Sequence, residues 1–337
     1  MSTPPSFEMS LTYLLLNGFK PNPNYYSCPE NWSMKSGESV RRPYLGTYFF
    51  ISGVVFLSLY VLCLLAMFCI NRTPAFKIMI SLAFCDIPSV LVNSISTGIL
   101  GFSGITFCDH PTIVFFLGCN GFGWWIGCSV GCISLAVCRI SEINKNLNID
   151  WIFTKYCNQL LFFTSIICPF YGILFTKPVI FRPKFMSWFF DPGIGILDHS
   201  YYFNLAQPIN NVVFSTISLL LYTYFVRFIL SKDNHLSSGA HSRTQRQVIL
   251  QVAIICFFHC TTSLLFSYMQ FFYSPEWLIL MAQFAWQMAT GSVSIVYLTL
   301  NKTIRSHVLK LFRKNKVTTE LHVQTVSHVI PQLSVTL

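Results

Sequence analysis

Hydrophobic positions along this chain fall into seven long blocks, each almost free of charge and separated from the next by a connection that carries more charged and polar residues. The blocks lie near residues 47–70, 78–103, 113–138, 154–175, 203–230, 248–271 and 277–300. Each holds about the 20 residues that a helix rising 1.5 Å per residue needs to cross roughly 30 Å of hydrocarbon. Outside a closed barrel, such a segment has to satisfy its backbone hydrogen bonds internally, so all seven are expected to be helical. The pattern predicts an all-α membrane protein, a seven-transmembrane helix bundle forming one domain over residues 47–300.

In front of the bundle stand 46 mostly polar residues, expected to form an extracellular tail. Their apolar stretch "LTYLLLNGF" follows Glu8 rather than a basic region, so it does not read as a cleavable signal peptide. The first span would then serve as signal-anchor. Behind the bundle, "NKTIRSHVLKLFRKNK" places Ile304, Val308, Leu311 and Phe312 on one helical face and Lys and Arg on the other. That pattern predicts a short amphipathic helix over residues 301–316, lying on anionic lipid, followed by a flexible tail over 317–337.

Composition agrees with a bilayer environment. The chain is 53% hydrophobic and only 10% charged, against roughly 25% charged in soluble domains. Charge also sets a direction. If the N-terminus lies outside, fifteen of the 22 Lys and Arg fall on the inner side, so the positive-inside rule predicts N-terminus outside and C-terminus cytoplasmic. The net charge of +10 then reflects topology and calls for no nucleic-acid partner. Of 13 cysteines, only Cys28 and Cys108 face the oxidising side, where disulfides persist. They are expected to pair, the alternative being two free thiols. The sequon at Asn31 would also lie outside and be open to glycosylation.

Candidate enzyme chemistry is thin. The tetrapeptide "GFSG" at 101–104 and His259 could supply a nucleophile and a base, but their places on their helices put them about 20 Å apart in depth at 1.5 Å per residue. With no zinc, phosphate or dinucleotide motif either, no enzyme and no cofactor are expected. Asp86 is the one acid deep in a span, and a carrier pathway needs more than one such group. It is expected to bond Asn93, Asn120 or a serine. In the third span, "NGFGWWIGCSVGC" places Gly123, Gly127 and Gly131 four residues apart, a small-residue seam for close backbone approach. Cys128 and Cys132 are spaced as half of a metal site, but no His or acid at helical spacing completes it, so packing is the expected role. Its two tryptophans point 100° apart, so one should face a cavity.

Seven spans, Asp86 in the second and "AVCRISEI" closing the third resemble the rhodopsin-like receptors. More specifically, the chain is similar to nematode chemoreceptors of serpentine receptor class T in "CPENWSMKSG", "RPYLGTYFFISGVVFLSLY", "FKIMISLAFCD", "GFSGITFCDHP", "GCISLAVCRISEI", "FRPKFMSWFFDPGI" and "VYLTLNKTIR". The resemblance implies a plasma-membrane receptor, in sensory cilia, that binds an external chemical cue and activates a heterotrimeric G protein. A ligand-gated channel or carrier is the alternative function class. On the family pattern the ligand pocket lies in the outer half of the bundle, with Asn120, Trp124, Tyr268, Gln270, Gln283 and Trp286 as its candidate residues. Trp188, Tyr201 and Tyr202 are expected at the outer membrane surface. Arg139, Arg243 and Arg246 are candidates for the G-protein contact, with Asp86 and Tyr297 as switch residues. Several family features differ here. Cys138 precedes Arg139, removing the usual acidic partner of that arginine; the seventh span keeps only Tyr297 of its motif; the sixth span has no proline. The loop between the fourth and fifth spans lacks cysteine, which leaves Cys28 for Cys108.

Overall fold

The computed structural model describes residues 5–29, 32, 37–70, 73–143, 155–195, 197–233 and 239–311, without the side chains of 5, 143, 155–162, 225, 228–233, 239–246 and 249. Seven long helices form the bundle: Pro43–Phe68, a second span running from Pro74 to Ser103, Pro111–Ile143, Lys155–Phe175, Ala206–Asp233, Gly239–Phe271 and Glu276–Leu300. Proline opens the first three, at a position where its missing N–H leaves no helical bond unmade and its fixed φ suits the first turn.

The second span is irregular for a readable reason. Pro88, inside the helix, has no N–H to give, and three residues later the helix widens into a π turn over Leu91–Ser96 before resuming as Thr97–Ser103. The hydroxyls of Ser96 and Thr97 donate to the carbonyls five residues back, Leu91 and Val92. The turn carries Asn93 and Ser94 into the bundle interior, where both are wholly buried.

Small residues decide which spans touch. A Cβ on Gly123 would run into Ile173 and the Pro169 carbonyl of the fourth span, and one on Gly172 would meet the Gly123 Cα, so two backbones lie directly against each other. The seam then changes partner. Gly127 faces both Pro169 and Cys85, and Gly131 faces Leu82 of the second span. Gly46 and Gly98 make a similar crossing between the first two spans, each lying where a Cβ would hit the other's helix backbone. The third span is thus wedged between the second and fourth.

One end of the bundle is closed by chain from outside the spans. The disulfide Cys28–Cys108 fastens the N-terminal segment to the start of the third span. Short helices Pro5–Glu8, Leu11–Leu16 and Pro23–Tyr26 lie there, and Met9, Leu11 and Leu14 are buried in the bundle's core, so this tail is a packed element and not merely a polar leader. Thr12 donates to the Leu174 carbonyl and Thr112 to that of Phe19. Tyr26 sits among Phe107, Phe115 and Tyr202. Burial pushes the Tyr202 phenol up to about 12, so it stays protonated and donates to the Tyr25 carbonyl at 2.6 Å. Lys177 is capped by the carbonyls of Tyr201 and Phe203, and burial lowers its pKa.

Residues 302–311 form a further helix, but Ile304 and Val308 pack into the bundle's core, so much of the face expected on lipid is turned to protein instead. Phe312 and Asn31 lie outside the described residues.

Gly123→Ala should force the third and fourth spans apart and lower stability by about 1–3 kcal/mol, the usual cost of overpacking, seen as a lower thermal unfolding midpoint in detergent. Cys28→Ser and Cys108→Ser should each impair surface expression to a similar degree, with the double variant no worse; a defect in only one would contradict the pairing.

Candidate ligand-binding site

The connection between the fourth and fifth spans folds into a two-stranded antiparallel hairpin, β1 Ile180–Arg182 and β2 Ser187–Phe189, which inserts into the bundle end rather than lying over it. Its seat is made by absent side chains. A Cβ on Gly118 would overlap the Val179 carbonyl, and one on Gly101 would strike the Met186 thioether. Hydrogen bonds lock the seated hairpin: Trp188 Nε1 donates to Thr97 Oγ1 at 2.8 Å, and Ser187 Oγ to Gln283 Oε1 at 3.2 Å. On the far side Arg182 holds Glu38 through two bonds, and Arg42 donates to the Lys184 carbonyl, tying the hairpin to the N-terminal segment.

Beneath the hairpin lie two adjoining small cavities of about 20 and 50 Å³ that share Val179, Trp188, Gln207 and Phe266 as walls. The deeper one is closed by Phe122 and Trp125 of the third span, Thr262 of the sixth and Trp286 of the seventh. The shallower one reaches Gln270 and His199, the latter paired with Asp191 at 3.0 Å. Trp286 is 5% exposed and its Nε1–H has no acceptor among the described residues, a state that costs roughly 1–3 kcal/mol for a buried donor. Trp125, by contrast, donates to Asn211 Oδ1 at 2.9 Å. Its ring stacks on His259, one helical turn below Thr262, at 5.2 Å and 12°. His259 is wholly buried.

From the hairpin a chain of side-chain bonds runs along the seam between the second and seventh spans. Gln283 Nε2 donates to the Asn93 carbonyl; Asn93 Nδ2 donates to Thr290 Oγ1; Ser94 Oγ donates to Asn93 Oδ1. Gln287 Nε2 bonds both Ser94 and Ser52, bringing in the first span. Tyr60 OH then stands 2.5 Å from the Thr290 carbonyl and 2.9 Å from Asp86 Oδ2. Asp86 therefore bonds Tyr60 and none of Asn93, Asn120 or a serine, because the π turn rotates Asn93 onto the seventh span. Tyr297, also wholly buried, carries a hydroxyl with no hydrogen-bond partner among the described residues.

At the opposite end Arg139 is 8% exposed and does have an acidic partner. Glu142, one turn later on the same helix, accepts from its Nη1 at 2.6 Å, while Nη2 reaches Met79 Sδ. The acid comes three residues after the arginine instead of immediately before it. The side chains of Arg243 and Arg246 lie outside the described residues.

The six expected ligand residues separate. Trp286 and Gln270 line the cavities, and Gln283 supports the hairpin. Trp124 donates to Asn120 and packs on Phe170 of the fourth span, so that pair faces away from the cavity. The tryptophan that faces it is Trp125, one 100° step around the helix. Tyr268 is 45% exposed and stacks on Phe272. Trp188 and Tyr202, expected at the membrane surface, are buried instead, because the hairpin and N-terminal segment cover them; Tyr201 is exposed. No cluster of three or more metal-ligating side chains occurs among the described residues.

Gly118→Ala should unseat the hairpin, because its Cβ and the Val179 carbonyl cannot share the space. Hydrogen exchange of the 180–189 amides should rise severalfold while that of the seventh span is retained; unchanged protection would show that the seat does not depend on this glycine.

Comparison with known proteins bears on the whole of this arrangement. A family model described as "Serpentine type 7TM GPCR chemoreceptor Srt" matches residues 9–321. The chain is also similar to serpentine receptor class T-55 of Caenorhabditis elegans, 24% identical over 246 residues, which cover 72% of this chain and 66% of that protein. The matched region takes in all seven spans, the hairpin and most of the N-terminal segment, and the chain accordingly belongs to the Srt family of serpentine seven-transmembrane chemoreceptors, a family of membrane receptors and not of enzymes.

Proposed function

We propose that the chain is a chemosensory G-protein-coupled receptor that binds an external small molecule in the cavity under the hairpin and activates a heterotrimeric G protein at the Arg139 end. The observation that carries this reading is the run of bonds from Ser187 through Gln283, Asn93, Thr290 and Tyr60 to Asp86, which joins the capped cavity to the middle of the bundle. A ligand changes such a system only by binding one arrangement better than another. Displacing the hairpin breaks or remakes the Ser187–Gln283 bond, so Gln283 senses occupancy and its partners repack with it. Arg139, held by Glu142, is the group released towards the G protein, joined by Arg243 and Arg246 of the sixth span.

This assignment sets the hairpin end outside and the basic end in the cytoplasm, in keeping with the distribution of Lys and Arg. Asn31 is then available for glycosylation, the helix over 302–311 lies at the cytoplasmic surface, and the plasma membrane of sensory cilia is the place of action. With the first span starting at Pro43, residues 1–42 are the outer tail, 43–300 the bundle, and 317–337 the cytoplasmic tail.

Expression with a promiscuous G protein and a screen of volatile and metabolite compounds should give calcium or cAMP responses that Arg139→Ala abolishes. Ligand-gated current that persists without any G protein would instead establish a channel. Glu142→Gln should raise ligand-independent signalling about two- to fivefold, as expected from removing a pair worth roughly 0.4–1 kcal/mol. Unchanged basal signalling would mean that the pair does not restrain Arg139.

A further inference from the structure

The walls of the two cavities carry information about what they accept. Among the described residues, none that lines them is Asp, Glu, Lys or Arg, and the titratable one, His199, stands at the shallow end with Asp191 as its partner. In the deeper cavity an ionic ligand would lose its hydration shell and meet no counter-charge among the described lining residues. Four aromatic walls, Phe122, Trp125, Trp188 and Phe266, suit an apolar body instead. Against them stands one unmet donor. Of the three indoles around the deeper cavity, two have acceptors, Asn211 for Trp125 and Thr97 for Trp188, while Trp286 Nε1 has none among the described residues. The chemistry of that group is unambiguous, since an indole nitrogen can only donate, whereas amide side chains can exchange donor and acceptor by flipping. Whatever completes Trp286 must bring an acceptor.

We propose that the cavity takes a neutral, compact, largely apolar molecule bearing a hydrogen-bond-accepting oxygen, and that Trp286 recognises that oxygen by donating its Nε1–H. Cavities of about 20 and 50 Å³ hold water-sized groups in the arrangement described, so the ligand makes its room by moving a wall. The spanning helices supply most of the deeper lining; Val179 and Trp188 come from the hairpin connection, and Trp188 is the wall that gives way. Gly121 completes the recognition site from the third span, for a Cβ there would lie 3.3 Å from Trp286 Cη2 and 3.1 Å from Val92 Cγ1.

The proposal rests on the receptor reading for the site alone, so it is tested by binding, with no G protein present. Full-length protein in lipid nanodiscs is titrated with four compounds sharing one ring: cyclohexanone, cyclohexane, cyclohexylammonium and cyclohexanecarboxylate. Tryptophan fluorescence and the thermal unfolding midpoint report binding. Cyclohexanone should bind about five- to tenfold more tightly than cyclohexane, the value of one buried hydrogen bond, and neither ion should bind. Trp286→Phe keeps the aromatic volume and removes the donor, so it should bring the ketone-to-hydrocarbon ratio close to one. Gly121→Ala narrows the site without touching the donor; it should weaken ketone and hydrocarbon alike and keep their ratio, and serves where Trp286→Phe fails to fold. The proposal is overturned by a ratio that survives Trp286→Phe, by an ion that binds as well as the ketone, by a Gly121→Ala protein with unchanged affinities, or by a folded wild-type chain that ignores the ketone. A charged compound found to drive G-protein signalling would overturn it while leaving the receptor reading intact; ketone binding without any coupling would do the reverse.

Discussion

A polar side chain inside a bilayer has no water to fall back on, and the seam between the second and seventh spans is built around that constraint. Asn93, Ser94, Gln283, Gln287 and Thr290 are all buried, and each finds much of its bonding in the others. Moving any one of the three spans involved would strand several donors at once. The seam therefore sets the mutual rotation of the first, second and seventh spans, and the π turn after Pro88 is the local deformation that brings Asn93 and Ser94 into it. Tyr60 and Asp86 close its deep end, and Ser187 of the hairpin closes the other.

The same molecule uses missing side chains as a second organising device. Gly123, Gly127 and Gly131 let the third span sink between its neighbours, and further along that helix Gly118 and Gly121 leave room for the Val179 backbone and the Trp286 ring. The candidate site is thus a by-product of close packing: where the third span lacks a Cβ, the hairpin and an indole move in. Because a large aromatic on a hairpin fills the bundle mouth, the cavity stays small. The Arg182–Glu38 pair and the Arg42 bond to Lys184 anchor the hairpin's outer side, and Ser187 and Trp188 hold its inserted edge to Gln283 and Thr97.

The two ends of the bundle are physically distinct. One is plugged by chain from outside the spans and rich in aromatic contacts, whereas the other holds a nearly buried arginine against a half-exposed glutamate. The chain's membership of a chemoreceptor family is the ground on which a cue at one end and a signal at the other are proposed for them.

Much of this was legible in the sequence, for reasons of physics. Hydrocarbon thickness dictates span length, so seven apolar blocks announce seven helices, and glycines four residues apart announce a close-packed face whatever lies opposite. "RISE" also held the Arg139–Glu142 pair in plain view at i, i+3 spacing, hidden only by looking for the acid before the arginine. Other features depended on helix rotation, which sequence period alone leaves open: Trp124 and Trp125 are equivalent until the third span is docked, and docking places Trp125 over the cavity and Trp124 on Phe170. The burial of Trp188 was likewise decided in three dimensions. A tryptophan in a connection between spans reads as an interfacial anchor, and becomes a plug only because Gly101, Gly118, Thr97 and Gln283, from three different spans, converge to receive its hairpin. The sequence by itself determined how many spans there are and roughly how long, since that needs only the chain and the solvent; the tertiary structure decided which faces meet, since that depends on where every other helix lies.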